Sequence, residues 1–251
     1  MALIIWDIES YIYRAAVSCE VFRQDKTNPY IYTQCYDLRN GIKFIKDNLS
    51  RIQKELNIQD FVIVLGDKDH NFRKDILPSY KANRKKTDKP PMVDIIRKWV
   101  EDEYRNNIVQ LDNLEGDDCA RIIMEDNRTY PMRKVIVGID KDFLTVSGEF
   151  YRDLNKPTHM MISPTEARMN LMKQVIVGDV ADNYSGLPNK GQVYADKFVT
   201  PDTTWEDVQV AFEMNGSTSE DFLIQRRVAT LVSLDNYDFA TGQVRFNFKD
   251  N

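Results

Sequence analysis

The sequence predicts an α/β fold built on a mainly parallel sheet. Short apolar runs at residues 2–6, 61–65 and 134–139 lack in/out alternation, the pattern of strands buried on both faces. Longer segments between them space their apolar residues as helices do, so strands and helices alternate. The three runs lead into aspartates, Asp7, Asp67 and Asp140. Ligands of open parallel sheets bind at the carboxyl ends of the strands.

The elements follow in order. The first strand, residues 2–6, reaches Asp7 with no basic leader and reads as a strand rather than a signal peptide. A helix is expected over 10–21. Residues 23–36 are polar and aromatic and fit a loop or hairpin. Residues 41–56 place Ile42, Phe44, Ile45, Leu49, Ile52 and Leu56 at helical spacing, and a second buried strand covers 61–65. The segment 68–91 is polar and basic, broken by Pro78 and Pro90-Pro91, before a helix over 92–104 with Val93, Ile96, Trp99 and Val100 inward. A short strand at 108–111 leads into Glu115-Gly116-Asp117-Asp118 and another helix.

After the strand at 134–139, weak strands are expected at 149–152 and 159–162. Ser163, Pro164 and Glu166 mark a helix start, with Ser163 as N-cap and Glu166 completing a capping box; that helix runs to about 177. Gly186, Pro188 and Gly191 form a tight turn, followed by helices at 192–198, 205–214 and 219–231. The tail from 236 is weakly patterned. The organisation is thus an α/β core over 1–165, with a basic arch at about 68–106, and a helical lobe over 166–251 packed with it as one unit.

At 251 residues the chain can bury a sizeable core. No apolar run approaches membrane-spanning length. Cys19, Cys35 and Cys119 are odd in number and lack metal spacing, which fits free thiols in a reducing, cytoplasmic compartment. The only histidines are His70 and His159, which disfavours histidine-based metal chemistry. Net charge is −5, yet Arg73, Lys74, Lys81, Arg84, Lys85, Lys86 and Lys89 cluster against only Asp75 and Asp88. Such a local basic footprint suits nucleic acid, although a solvated face would look the same.

One carboxylate would satisfy the helix start at 115–118; three together repel, unless a cation sits among them. Asp7, Asp67 and Asp140 would join them at the sheet edge, Asp142 lies two residues beyond Asp140, and Asp179 and Asp182 share one face of a helical turn. Without these nine acids the chain would carry net positive charge. Oxygen-only ligands point to Mg²⁺ or Mn²⁺. Nine carboxylates exceed one ion's needs but suit two, and two ions about 3.5–4 Å apart can hydrolyse phosphodiesters. A helix N-cap is the commoner role for any single strand-end aspartate; the whole set together is harder to explain that way.

The motifs recur in a telling order: Gly66-Asp67, Phe72-Arg73-Lys74, Pro78-Ser79-Tyr80-Lys81-Ala82-Asn83-Arg84, Glu115-Gly116-Asp117-Asp118, Asp140-Lys141-Asp142, then Gly178-Asp179 through Asp182 to Gly186 and Gly191. From residue 3 to about 198 the chain resembles the 5′-nuclease superfamily of flap endonucleases and 5′→3′ exonucleases, and most nearly the compact bacteriophage 5′→3′ exonucleases. The resemblance implies a PIN-like core, a helical arch and a helix–three-turn–helix lobe. It implies that Asp7, Asp67, Glu115 and Asp117 hold a first metal, that Asp118 helps hold or bridge, and that Asp140, Asp142, Asp179 and Asp182 hold a second. Lys81 and Arg84 would stand on the arch and offset charge at the scissile phosphate. Tyr80 would stack on an unpaired base or else pack at the arch base, and Arg73 would contact phosphate or be a solvated charge. Lys85 and Lys86 join the DNA-binding set.

By the same resemblance Gly186, Asn189, Lys190 and Gly191 form the turn that presents backbone N–H groups to phosphates, with Lys197 adding a contact, and turn carbonyls bind a monovalent cation such as K⁺. Asn189 departs from the pattern, standing where glycine is common, but asparagine tolerates positive φ. The implied activity is Mg²⁺-dependent 5′→3′ hydrolysis of DNA, with flap-endonuclease action and RNA–DNA hybrid cleavage, by a monomer serving phage DNA replication or degradation in the bacterial host cytoplasm. Two other readings compete. A PIN-type ribonuclease lacks reason for the 186–191 turn and basic arch, and a non-catalytic DNA-binding module has little use for a repulsive acidic pocket facing phosphate.

Overall fold

The structure, a computed structural model, describes residues 1–28, 30–84 and 89–246. Lys85 and Lys86 therefore lie outside the described residues. The central sheet has six strands in the order β5-β4-β1-β6-β7-β8: β1 (Ala2–Asp7), β4 (Asp60–Val64), β5 (Ile108–Val109), β6 (Arg133–Gly138), β7 (Gly148–Arg152) and β8 (Thr158–Ile162). All neighbours run parallel except β7 and β8. The chain builds outward from β1 to β4 and β5, then returns to build β6 to β8 on its other side. This reversal opens a crevice at the carboxyl ends beside β1.

The first strand supplies apolar residues to both faces. Ile4 and Trp6 join a core with Ile45, Ile52, Ile96 and Val100 from helices α2 (Leu38–Leu56) and α4 (Val93–Glu103). Leu3 and Ile5 join the opposite core with Ile122 and Ile123 of α5 (Gly116–Glu125). Such two-sided burial is why these strands read as continuous apolar runs.

Helix α1 covers Glu9–Ser18, shorter than expected, because at Cys19 the chain enters the hairpin β2 (Glu20–Gln24) and β3 (Tyr32–Tyr36). The basic segment contains a five-residue helix, α3 (Phe72–Ile76), then turns through Arg84; α4 follows from Val93. Helix α6 (Pro164–Val177) begins with the expected capping box: Glu166 N–H donates to Ser163 Oγ at 3.2 Å, and Ser163 N–H to Glu166 Oε2 at 2.9 Å.

The helices α6, α7 (Gln192–Phe198), α8 (Trp205–Met214) and α9 (Ser219–Ala229) enclose a third apolar cluster around Ile176, Leu187, Phe212 and Phe222. Helix α9 stops at Ala229, two residues before the sequence predicts, and the next residues leave the helical lobe. Leu231, Val232 and Tyr237 are buried in the α5-side core of the sheet, and Asn113 Nδ2 donates to Gly242 C=O at 2.9 Å. Among the described residues no helix is long and apolar enough to cross a membrane.

Candidate metal centre

The acids meet at the crevice beside β1. Register pairs Trp6 with Val137, which brings Asp7 next to Gly138. A Cβ at Gly138 would lie 2.8 Å from the Phe143 ring and 3.3 Å from Asp7 Oδ2, so glycine admits the carboxylate there. Beyond β6, Asp140 caps the 3₁₀ turn Lys141–Thr145 by accepting Asp142 N–H at 3.0 Å. Burial, then the charges of Glu9 and Asp140, push the Asp7 carboxyl up to about 7. Burial, then Asp140 and Asp182, push Asp142 up to about 7 as well. Asp142 Oδ1 is buried without a hydrogen-bond partner.

Helix α5 supplies the second group. It is seated by two facing glycines: a Cβ at Gly66 would lie 3.2 Å from Gly116 N and 3.3 Å from Glu115 Cα. One carboxylate oxygen from each of Glu115, Asp117 and Asp118 lies within 4.8 Å of the others. Burial, then Asp118 and Glu115, raise the Asp117 carboxyl well above the usual range. Burial also acts to raise Glu115, but Lys81 and Arg73 overcome it and hold it at about 2.

The loop after α6 supplies Asp179 and Asp182. It folds back on itself: Asp179 and Tyr184 exchange backbone hydrogen bonds at 2.9 and 3.1 Å. Asp179 pairs with Lys141 at 2.8 Å, and Asp182 with Arg84 at 2.7 Å. Lys81 pairs with Glu115 Oε1 and lies 3.6 Å from Asp182 Oδ2. The backbone of Lys81 is left-handed, φ 55°, and its N–H donates to Asp182 C=O at 2.9 Å. The segment carrying Lys81 and Arg84 is thereby docked on the acidic loop, a contact reinforced by Asn83 Nδ2 to Val180 C=O and Asn183 Nδ2 to Ser79 C=O.

Three sequence expectations need correction. Asp118 has no exposed surface, and both its oxygens are taken by Arg73, Val232 N–H and Glu115 N–H, which leaves it a poor metal ligand. Arg73 is 1% exposed and spends its remaining donors on Val228 and Thr230 carbonyls, so it cannot reach a phosphate. Tyr80, 3% exposed, packs in the helical-lobe core and cannot stack on a base. Its hydroxyl lies 2.8 Å from Glu115 Oε2 and 2.9 Å from Asp182 Oδ2, between the start of α5 and the loop after α6. Asp67 accepts Asp69 N–H and Asn113 N–H, both at 2.9 Å, which orients its carboxylate and leaves a lone pair on each oxygen.

The turn region is crowded where it needs to be. Gly178 (φ 72°) and Gly186 (φ 65°) cross so closely that a Cβ on Gly186 would lie 2.4 Å from Gly178 N. Gly186 N–H donates to Gln225 Oε1 at 2.9 Å. Asn189 adopts φ 57°, the left-handed conformation open to asparagine. Gly191 leaves open space around its α-carbon, and the Lys190 ammonium lies over the Tyr194 ring at 4.8 Å.

Three site residues escape the sequence reading. Glu9 lies two residues past Asp7, a spacing that could have flagged it. Lys141 lies between two singled-out acids. Arg97 is one of several charges on the polar side of an amphipathic helix, with no signal of its own. A cavity of about 580 Å³ opens between the strand ends and the basic segment, lined by Glu9, Asp67, Lys81, Arg84, Arg97 and Glu115.

Comparison with known proteins identifies a family and a shared fold. Residues 2–173 match the family model of the 5′-3′ exonuclease N-terminal resolvase-like domain. The chain is similar to the exodeoxyribonuclease of Enterobacteria phage T3, at 23% identity over 85% of this chain and 82% of that one. It is also similar to the exonuclease of Escherichia phage T7, at 25% identity over 85% and 83% of the two chains. In fold it is similar to the T5 5′-exonuclease with divalent zinc ions bound (TM-score 0.63, 14% identity, 92% and 90% of the chains covered). The bacteriophage T5 flap endonuclease, in a complex with DNA and metal ions, is similar at TM-score 0.61 and 15% identity over 91% and 88% of the chains.

Proposed function

The chain belongs to the 5′-3′ exonuclease family and is a 5′ nuclease, and we propose that it hydrolyses DNA phosphodiesters from 5′ ends with two Mg²⁺ or Mn²⁺ ions. The observation that carries this reading is the buried set of under-compensated carboxylates at the sheet's carboxyl edge. Asp142 Oδ1 is buried with no donor, and Asp7, Asp117 and Asp142 are all pushed toward the protonated form. Groups so crowded and so dry fit divalent cations, and an all-oxygen donor set fits hard ones.

Asp7, Asp67, Glu115 and Asp117 would hold one ion, and Asp140, Asp142, Asp179 and Asp182 the other. When bound, such ions make an attacking water more acidic and offset charge on the phosphate. The chain's own residues do the rest. Lys81 and Arg84, now on Glu115 and Asp182, are within side-chain reach of a phosphate at the acids and would turn their charge toward it. Tyr80 orients Glu115 and Asp182 from below, and Lys141 does the same for Asp179. Arg73 and Asp118 hold the start of α5 in place. Asn189, Lys190 and Gly191 would grip the duplex backbone without reading bases; Gly186, expected to offer its N–H as well, spends it on Gln225 and instead shapes the turn from inside, and the turn carbonyls would take K⁺.

The same site would cleave 5′ flaps and RNA–DNA hybrids, acting as a monomer in phage DNA replication or degradation in the bacterial host cytoplasm. The α/β core over 1–165 carries most of the chemistry, joined by Asp179 and Asp182, and the helices of the lobe that begins at 166 carry the duplex grip. Digestion of end-labelled duplex, 5′-flap and RNA–DNA hybrid with Mg²⁺, beside Asp117→Asn, tests the reading. Absence of cleavage by the unmodified protein, with DNA binding retained, would sink it in favour of a non-catalytic binding module.

A further inference from the structure

We propose that Glu9 and Arg97 are positioning residues for this site: as an ion pair they clamp both backbone polar groups of Gly66 and tie helix α4 to the strand ends that carry the acids. This role presupposes the nuclease reading of the site. Glu9 Oε1 accepts Gly66 N–H at 3.0 Å and Arg97 Nη1 at 2.9 Å. Arg97 Nη2 donates to Gly66 C=O at 2.6 Å, and Arg97 Nε to Glu101 Oε1 at 3.1 Å. Glu101 in turn pairs with Lys68 at 2.7 Å. One planar guanidinium thus meets three acceptors on three elements, which a lysine ammonium cannot reproduce. The Arg97 side chain is 11% exposed while Glu9 is 48% exposed, so the clamp rests on the guanidinium's fixed geometry rather than on burial of the charges.

Gly66 is a consequential residue to hold. Its backbone abuts Gly116 N and Glu115 Cα, and the next residue, Asp67, donates its N–H to Leu114 C=O at 2.8 Å. A shift of Gly66 therefore moves the start of α5, which carries Glu115 and Asp117. Glu9 lies two residues past Asp7 and donates its N–H to Asp7 Oδ1 at 3.4 Å. The single ion pair thus bears on both Asp7 and the α5 acids. Through α4 it also anchors the far end of the segment that carries Lys81 and Arg84.

The test compares the full-length chain with Arg97→Gln, Arg97→Lys and Glu9→Gln. Mn²⁺ binding without DNA is read by electron paramagnetic resonance, and kcat and KM on a duplex with a 5′ end by steady-state cleavage. Loss of a residue that orients metal ligands typically costs 10–100-fold. Arg97→Gln and Glu9→Gln should therefore raise the Mn²⁺ half-saturation concentration about tenfold and lower kcat at least about tenfold, with KM little changed. Arg97→Lys should recover only part of either loss, because charge returns without the fork. Mn²⁺ binding and kcat within about twofold of the unmodified chain in both glutamine variants would overturn the clamp. So would full recovery by lysine, or a rise in KM alone, which would make Arg97 a substrate contact. Should Arg97→Gln not fold by circular dichroism, Glu9→Gln, which keeps the oxygen facing Gly66, decides by the same criteria. An unmodified chain that neither binds Mn²⁺ nor cleaves DNA overturns the nuclease reading itself; a chain that does both while its variants match it overturns the clamp alone.

Discussion

Arg73 and Asp118 form a buried two-pronged ion pair, Nη1 to Oδ2 at 2.6 Å and Nη2 to Oδ1 at 2.7 Å. Around it, Val228 and Thr230 carbonyls and Val232 N–H complete the polar groups. The pair joins α3, the start of α5 and the segment after α9, three regions far apart in sequence. It also divides the acidic cluster, since Asp118 is fully engaged while Asp117 beside it has no cation in contact of its own among the described residues.

Asp118→Ala or Arg73→Ala should therefore destabilise the fold by about 3–5 kcal/mol, the usual cost of leaving one member of a buried pair alone. Urea denaturation checks this. A loss of activity with unchanged stability would return Asp118 to the ligands.

Asp117→Asn should behave in the opposite way. Removing one of several crowded, buried carboxylates relieves repulsion, so the metal-free protein should melt higher. Cleavage should fall at least about 10²-fold, because the group is placed where charge is handled in the transition state. DNA binding, read by fluorescence anisotropy, should be kept or strengthened as negative charge leaves the site.

The metal-free protein should lose stability as pH rises. Asp7 and Asp142 each have a folded value of about 7 against an ordinary 3.8. A carboxyl raised on folding binds its proton more tightly in the folded state, so its contribution is full below about pH 4 and lost as pH climbs through about 7. In EDTA the melting temperature should fall between pH 5 and pH 8. Adding Mg²⁺ at pH 8 should restore it, since the ion replaces the missing protons. A flat profile in EDTA would mean that these acids are already compensated.

Lys81→Ala should lower kcat more than it raises KM. Its ammonium faces Glu115 and Asp182 across the site rather than open solvent. Steady-state cleavage separates the two effects: an unchanged kcat with raised KM would make Lys81 a binding residue only.

The legible parts of this protein are those that a local pattern dictates. Strands β1, β4 and β6 are readable because each carries a continuous apolar run toward its carboxyl end, and Asp7 and Asp140 are readable because they end or closely follow such runs. The capping box at Ser163 and Glu166 is a three-residue rule. What the sequence hides are partners set by tertiary packing. Nothing near Arg73 says that Asp118 and the 228–232 backbone will enclose it, so a buried structural arginine looks like a phosphate contact. Residues 231–246 look unpatterned because they fill an existing core through a few side chains rather than forming a long element. Arg97 has the same spacing as any solvated helix charge, and only the fold brings Glu9 and Gly66 to it.

Tyr80 offers the sharpest separation between the two readings of one residue. Its ring is enclosed by the helical-lobe core, and only its hydroxyl looks toward Glu115 and Asp182. Tyr80→Phe keeps the packing and removes the hydroxyl, so stability should change little while kcat falls about tenfold through misorientation of the two carboxylates. Tyr80→Ala should instead destabilise the protein by about 3–5 kcal/mol, as loss of a buried aromatic ring does. A residue that stacked on a base would show the reverse order: phenylalanine would be neutral in cleavage and alanine neutral in stability. Cleavage rates and denaturation midpoints for the two variants decide between them.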